Sequence, residues 1–81
     1  MPNPAYDEGY AVGTVGAHLD AVAVKAAKNT AGLYKLAGLR LTINKRQHPE
    51  NWWIQSSNSK YEEGFFDGYI NRAEDIRSAG G

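Results

Sequence analysis

Two eight-residue segments of the 81-residue chain share one pattern: aromatic, acid, acid, glycine, aromatic, two variable residues, glycine. They span residues 6–13 and 61–68, and each falls where a helix is predicted to begin. Glycine inside a helix costs about 1 kcal/mol relative to alanine, so glycines four apart need a structural reason. We expect the two helices to approach closely, with aromatic rings of one covering the bare backbone of the other. The residues assigned to this helix packing are Tyr6, Gly9, Tyr10, Gly13, Tyr61, Gly64, Phe65, Gly68 and Tyr69.

The first helix is predicted over residues 4–28. Asn3 is placed as its N-cap and Pro4 as its first residue, where a missing N–H does no harm. Its apolar residues fall on two opposite stripes of the helical wheel, the first of which consists of Tyr6, Tyr10, Gly13, Ala17, Ala21 and Val24. A helix that is apolar on two sides is either central to a bundle or shared with another chain. The second stripe consists of Val15, Leu19, Val22 and Ala26.

Two further helices are predicted, over residues 31–44 and 60–77. Asn29-Thr30 offers a break and a new N-cap before the first of them. The alternation around Leu39, Leu41 and Ile43 leaves a short strand open as the alternative. The segment 59–62, Ser-Lys-Tyr-Glu, matches a capping box and predicts the start of the final helix. The predicted fold is therefore all-α: one domain over residues 1–81, a small helical bundle of two long helices plus a central shorter helix.

Residues 45–59 are predicted to be a polar connection that carries two adjacent indoles, Trp52 and Trp53. Adjacent side chains point in different directions in any regular structure. We therefore expect one indole to enter the core and the other to cover its edge.

The composition limits what chemistry and location are expected. The chain has no cysteine, which excludes disulfides and thiolate metal sites. The beginning of the sequence has no basic region, so we expect no signal peptide. The apolar stretch 11–24 is interrupted by His18 and Asp20, so we expect no contact with a membrane. The expected location is therefore the cytoplasm. His18 and His48 lack partners at metal-ligand spacing. No catalytic, cofactor-binding or metal-binding residue is predicted, and we expect a protein that is not an enzyme.

The charges are segregated along the chain although they sum to zero. The middle segment carries bases and no acid, whereas acids prevail on both sides of it. A compact fold would bring the acidic ends onto the basic middle. Alternatively, the cations and neighbouring aromatic residues would bind RNA, by phosphate pairing and base stacking. The bases concerned are Lys25, Lys28, Lys35, Arg40, Lys45 and Arg46.

The spacing Tyr-x-x-Gly-aromatic-x-x-Gly-x-x-Gly at residues 6–16 is followed by Trp52 and by Glu-Gly-aromatic-x-x-Gly at residues 63–68. This succession resembles ribosome modulation factor and its small relatives. The resemblance implies a pair of helices that binds ribosomal RNA and silences ribosomes.

Three functions are considered for the chain. The first is a small interaction protein that binds and modulates or inhibits a protein partner, through exposed aromatics and one stripe of the first helix, with a homodimer as one form. Short chains of this style are typical of host inhibitors encoded by phages and mobile elements. The second is an RNA-binding or ribosome-binding regulator, and the third is a structural component of a larger assembly. The predicted partner-binding residues are Trp52, Trp53, Tyr34, Lys35, Arg40, Lys45 and Arg46.

Overall fold

A computed structural model describes residues 3–55 and 59–79, and within them the chain forms five α-helices. The all-α class is confirmed, and the segment for which a strand was the alternative is helical. The central helix α3 has 18 residues against 16 in α1, so it is not the shorter one that we predicted. Part of the predicted connection, residues 56–58, lies outside the described residues. The helices are α1 (Pro4–Leu19), α2 (Ala21–Ala26), α3 (Thr30–Gln47), α4 (Trp52–Gln55) and α5 (Lys60–Ala79).

The three longest helices begin at capping side chains, as predicted. Asn3 Oδ1 accepts from the backbone N–H of Ala5 at 3.0 Å, which satisfies a donor that the first turn leaves unpaired. Asn29 Oδ1 accepts from Gly32 N at 2.9 Å, and Ser59 Oγ accepts a bond of 3.1 Å from the N–H three residues on. These caps fix where α1, α3 and α5 start.

The glycines of the two repeats place α1 against α5 at backbone distance. A Cβ built on Gly9 would collide with the carbonyl oxygen of Tyr61, and one built on Gly13 would collide with that of Phe65. The contacts advance in the same direction along both helices, so α1 and α5 are parallel. Backbones this close permit the Cα–H···O=C contacts that recur at helix–helix interfaces.

The interface is nearly symmetric, and the repeat in the sequence explains why. Gly64 meets the carbonyl of Tyr6 in the way that Gly9 meets the carbonyl of Tyr61. Tyr6 and Tyr61 are the first residues of the two octapeptides, and Gly9 and Gly64 are the fourth. The repeats are therefore related by a pseudo-twofold axis that runs between the two helices.

The expectation that rings would cover the glycines is wrong. The glycine faces are filled by backbone atoms of the opposite helix, which leaves no space between the helices for a ring. The rings instead follow one another along their own helix: the centroids of Tyr61 and Phe65 are 6.5 Å apart, and those of Phe65 and Tyr69 are 6.3 Å apart. All three side chains of α5 are fully buried.

The first helix ends at Leu19, whereas the sequence predicted that it would continue to residue 28. Asp20 leaves the helical conformation, with φ −98° and ψ 19°, and α2 starts directly after it. The Asp20 carboxylate is held by Arg40 of α3 and by Tyr69 of α5, which are tertiary contacts that the local sequence does not reveal. The turn allows Val24 of α2 to be fully buried in the core.

The helix α3 returns in the direction opposite to α1 and α5. Arg40 lies at the end of α1, where it pairs with Asp20, while Asn44 lies at the start of α5, where its amide donates to the Tyr61 hydroxyl. Asn44 is the one buried polar side chain among the described residues, and this bond satisfies it. Of the described helices, none is both long enough and apolar enough to cross a membrane.

Alanine substitution of the interface glycines should be strongly destabilising. Gly9→Ala or Gly64→Ala forces the two backbones apart, and we expect a loss of about 3 kcal/mol in the free energy of unfolding, as for severe overpacking. Chemical denaturation monitored by circular dichroism measures this.

Gly38→Ala is the matched control, because a Cβ there meets nothing within 4 Å. It should gain about 0.5–1 kcal/mol from helix propensity alone. Equal stability of Gly9→Ala and Gly38→Ala would contradict the backbone contact.

Candidate functional site

An open groove of about 150 Å³ lies between α1 and the C-terminal half of α3. Each of the two helices contributes four residues at spacings of three, four and seven, which is the signature of one helix face. Phe65 of α5 also lines the groove. The α1 residues are Val12, Val15, Gly16 and Leu19, and the α3 residues are Arg40, Ile43, Asn44 and Gln47.

Large apolar side chains of both helices border the groove and are exposed to solvent. Val15 is 57% exposed, Leu19 is 68% exposed and Ile43 is 39% exposed. Leu39 lies one turn before Ile43 on α3, outside the lining of the groove, and is 59% exposed. Isolated apolar residues are normal on a protein surface, but three that border one concavity, with a fourth beside them, indicate a binding surface. We call Val15, Leu19, Leu39 and Ile43 the apolar rim.

A polar cluster of Asp20, Arg40 and Tyr69 lies at one end of the groove, which Arg40 lines. The Tyr69 hydroxyl donates to Asp20 Oδ2 at 2.7 Å, and Arg40 Nε donates to the same oxygen at 3.2 Å. Burial alone would raise the pKa of the Asp20 carboxyl, but the bonds from Arg40 and Tyr69 outweigh it and hold that pKa below its ordinary value. Burial, together with the bond to Asp20, raises the pKa of Tyr69. Asp20 is therefore ionised at neutral pH, and the charge of Arg40 is balanced within the fold.

The cations that the sequence assigned to partner binding divide into two pairs. Arg40 is bound to Asp20, and Lys45 Nζ lies 2.9 Å from Glu62 Oε2 of α5. These two ion pairs join the basic middle of the chain to its acidic flanks. Lys35 and Arg46, in contrast, are exposed on α3.

The predicted aromatic residues do not come together in one site. Trp53 packs against the core and donates from Nε1 to Glu8 of α1 at 3.0 Å, whereas Trp52 is 75% exposed. One indole therefore packs on the core and the other stays at the surface. Tyr34 is 49% exposed and stacks on Phe66 of α5, with ring centroids 6.2 Å apart. Tyr34 thus contacts α5, whereas Trp53 contacts α1.

The sequence indicated half of the groove and missed the other half. Val15 and Leu19 belong to the second apolar stripe predicted for the first helix. Leu39 and Ile43 belong to the segment 31–44, which the sequence predicts as a helix with a short strand as the alternative. Their spacing of four was the available signal, since it places both on one helix face.

No protein-family model, curated protein or solved structure matches this chain. In residues 3–55 and 59–79, no group of three or more His, Asp or Glu side chains is arranged to hold a metal ion. The geometry and charge of the surface are therefore the basis for a functional proposal.

Asp20→Asn should weaken the fold and reduce its acid sensitivity. A carboxyl whose folded-state pKa is depressed contributes stability above its unfolded pKa, and this contribution is lost as the pH falls through the folded value. We expect the wild type to lose stability below about pH 4. The variant should be about 2 kcal/mol less stable at pH 7 and should change less with acid. Thermal unfolding followed from pH 7 to pH 2 measures both.

The control for this substitution is Asp75→Asn, which removes an exposed carboxylate of α5. It should keep the acid response of the wild type. If Asp20→Asn gives the same pH profile as this control, then the Asp20 cluster does not stabilise the fold.

Proposed function

We propose that this chain is a small non-enzymatic protein that binds a protein partner in the groove between α1 and α3 and thereby modulates or inhibits it. The observation that carries the proposal is the apolar rim, in which large side chains of two helices are exposed at and beside one concavity. Leaving a Leu or Ile side chain exposed forgoes about 1.5–3 kcal/mol of burial. A partner that covers the rim recovers this free energy.

The shape of the groove favours a helical ligand. Two antiparallel helices with a gap between them present the kind of hydrophobic groove that receives an amphipathic helix. The lined length corresponds to two turns of α1, or roughly 10 Å. Phe65 lies beneath the groove but is fully buried, so a bound helix would cover the exposed side chains of the apolar rim. Partner binding would thus add burial to a domain whose size limits its own core.

The chemistry of the groove supports binding rather than catalysis. Two of its three polar side chains are engaged, Arg40 with Asp20 and Asn44 with Tyr61. The third, Gln47, is an amide and is neither titratable nor nucleophilic. General acid–base or nucleophilic catalysis needs an available titratable or nucleophilic group within reach of a substrate. A small chain that binds a helix which its partner needs for function would inhibit that partner. Proteins encoded by phages and mobile elements act on host factors in this way.

The groove is tested by introducing charge into the apolar rim. The double variant Leu19→Asp/Ile43→Asp places two carboxylates at the contact from which a bound partner excludes water. Because these charges would have to be desolvated, capture of the partner should fall at least tenfold. Affinity purification from a nuclease-treated bacterial lysate, quantified by mass spectrometry, measures the capture. Leu19 is 68% exposed and Ile43 is 39% exposed, so the fold should lose no more than about 2 kcal/mol, which circular dichroism melting checks.

Val22→Asp is the matched control, because Val22 is 85% exposed on α2 and does not line the groove. It should capture the same protein as the wild type. A protein that is retained equally by the double variant binds elsewhere, and that result would refute the groove as the docking site.

A second candidate function, RNA binding, is supported by the exposure of Trp52. An indole that is 75% exposed offers a stacking face for an unpaired base. Lys25, Lys28, Lys35 and Arg46 are exposed and available for phosphates, whereas Arg40 and Lys45 are held in ion pairs.

RNA binding makes a different prediction from docking in the groove. With about four phosphate contacts, the logarithm of the affinity for a single-stranded RNA should fall with the logarithm of salt concentration, with a slope of roughly −3. Trp52→Ala should weaken binding by about 1–3 kcal/mol. Fluorescence anisotropy with a labelled oligonucleotide measures both. Absent binding at low salt, or binding that Trp52→Ala leaves unchanged, would remove this candidate.

A further inference from the structure

The charge around the groove is of one sign on the α3 side. Lys35, Leu39, Ile43 and Arg46 follow at spacings of four, four and three, so they lie along one face of α3. Both cations are exposed. They border the apolar rim at its two ends, roughly 16 Å apart along the helix axis.

Carboxylates are missing from the same surface. The helix α3 contains no acidic residue, and α1 contains none between Gly9 and Leu19. Asp20 follows α1, but it already accepts bonds from Arg40 and Tyr69. Within residues 3–55 and 59–79, neither Lys35 nor Arg46 takes part in an ion pair.

The arrangement fits one class of occupant. We infer that the groove binds an acidic amphipathic helix of a partner protein, about three turns long, whose apolar stripe covers the rim and whose carboxylates pair with Lys35 and Arg46. This inference rests on the proposed function and specifies the chemistry of the partner. Opposite charges that flank an apolar contact fix the orientation of a ligand and raise its association rate.

A second copy of this chain is a poorer occupant of the groove. In a twofold dimer the same face meets itself, so each groove would be offered a surface that carries Lys35 and Arg46 and no available carboxylate. Like charges placed together in this way disfavour association. The partner that the surface fits is therefore a different, acidic helix.

The test selects helices from a display library against the purified chain. Each member is a helix of about 14 residues with Leu at positions i, i+3 or i+4, and i+7, and with Glu, Lys or Gln at random beside this stripe. We expect selection on the wild type to enrich Glu over Lys. Selection on Lys35→Glu/Arg46→Glu should enrich Lys instead. A Glu-rich helix from the first selection should bind this variant at least tenfold more weakly, and the difference should shrink at high salt.

The controls distinguish a failure of the acidic-helix inference from a failure of the proposed function on which it rests. Selected helices that lack a charge preference but lose binding to Leu19→Asp/Ile43→Asp would leave the groove as a docking site and overturn the acidic partner. Helices that bind this double variant as well as the wild type would overturn both. A selection that enriches no helix overturns the acidic partner as well.

Sedimentation equilibrium of the wild type and of Leu19→Asp/Ile43→Asp tests whether a second copy of the chain occupies the groove. A wild-type dimer that the double variant abolishes would identify a second copy in the groove and overturn the inference. A monomer in both cases supports it. Circular dichroism melting of each variant confirms that the fold is retained.

Discussion

The contact between the backbones of α1 and α5 is the constraint on which the rest of the fold depends. Side chains are absent at Gly9, Gly13, Gly64 and Gly68, so the two helices meet through carbonyl groups. The rings of α5 are displaced to the flank of this contact, where they form the core with α2 and α3.

Parallel helices also align their macrodipoles side by side, which is unfavourable. Acidic residues in the first turn of each helix, Asp7 in one and Glu62 and Glu63 in the other, offset the positive ends.

The groove follows from how α3 is attached. Its buried stripe ends in Asn44, and its closest links to the helix pair include polar ones: Arg40 with Asp20 and Asn44 with Tyr61. Such polar links fix the distance and direction of α3 relative to α1 and α5. They do not fill the space between the helices, as interdigitated apolar side chains do in a closely packed interface. The opposite stripe of α1 is consequently left uncovered. Val15 and Leu19 remain exposed because α1 buries its glycine side against α5, while Arg40 of α3 contacts α1 at Gly16.

The sequence was informative where the cause of a structure is local. Side-chain caps at Asn3, Asn29 and Ser59 predicted three helix starts, and the repeated glycines predicted which helices meet. The sequence was misleading where distant residues decide. The end of α1 depends on Arg40 and Tyr69, which hold Asp20 from two other helices. Similarly, the cations of the middle segment looked equivalent along the chain, and only the fold separates the paired Arg40 and Lys45 from the exposed Lys35 and Arg46.

The parallel arrangement of α1 and α5 has a consequence for how the chain acquires its structure. Helices joined by a short hairpin are antiparallel and can associate soon after they form. Here the partner of the first helix is the last one described, and the bond between Tyr6 and Asp67 joins residues 61 positions apart. During synthesis, α1 leaves the ribosome before α5, and its glycine row faces water until α5 has been made. Because loop closure precedes these contacts, folding should be slow for an α-helical protein, and the nascent α1 is the helix most in need of protection.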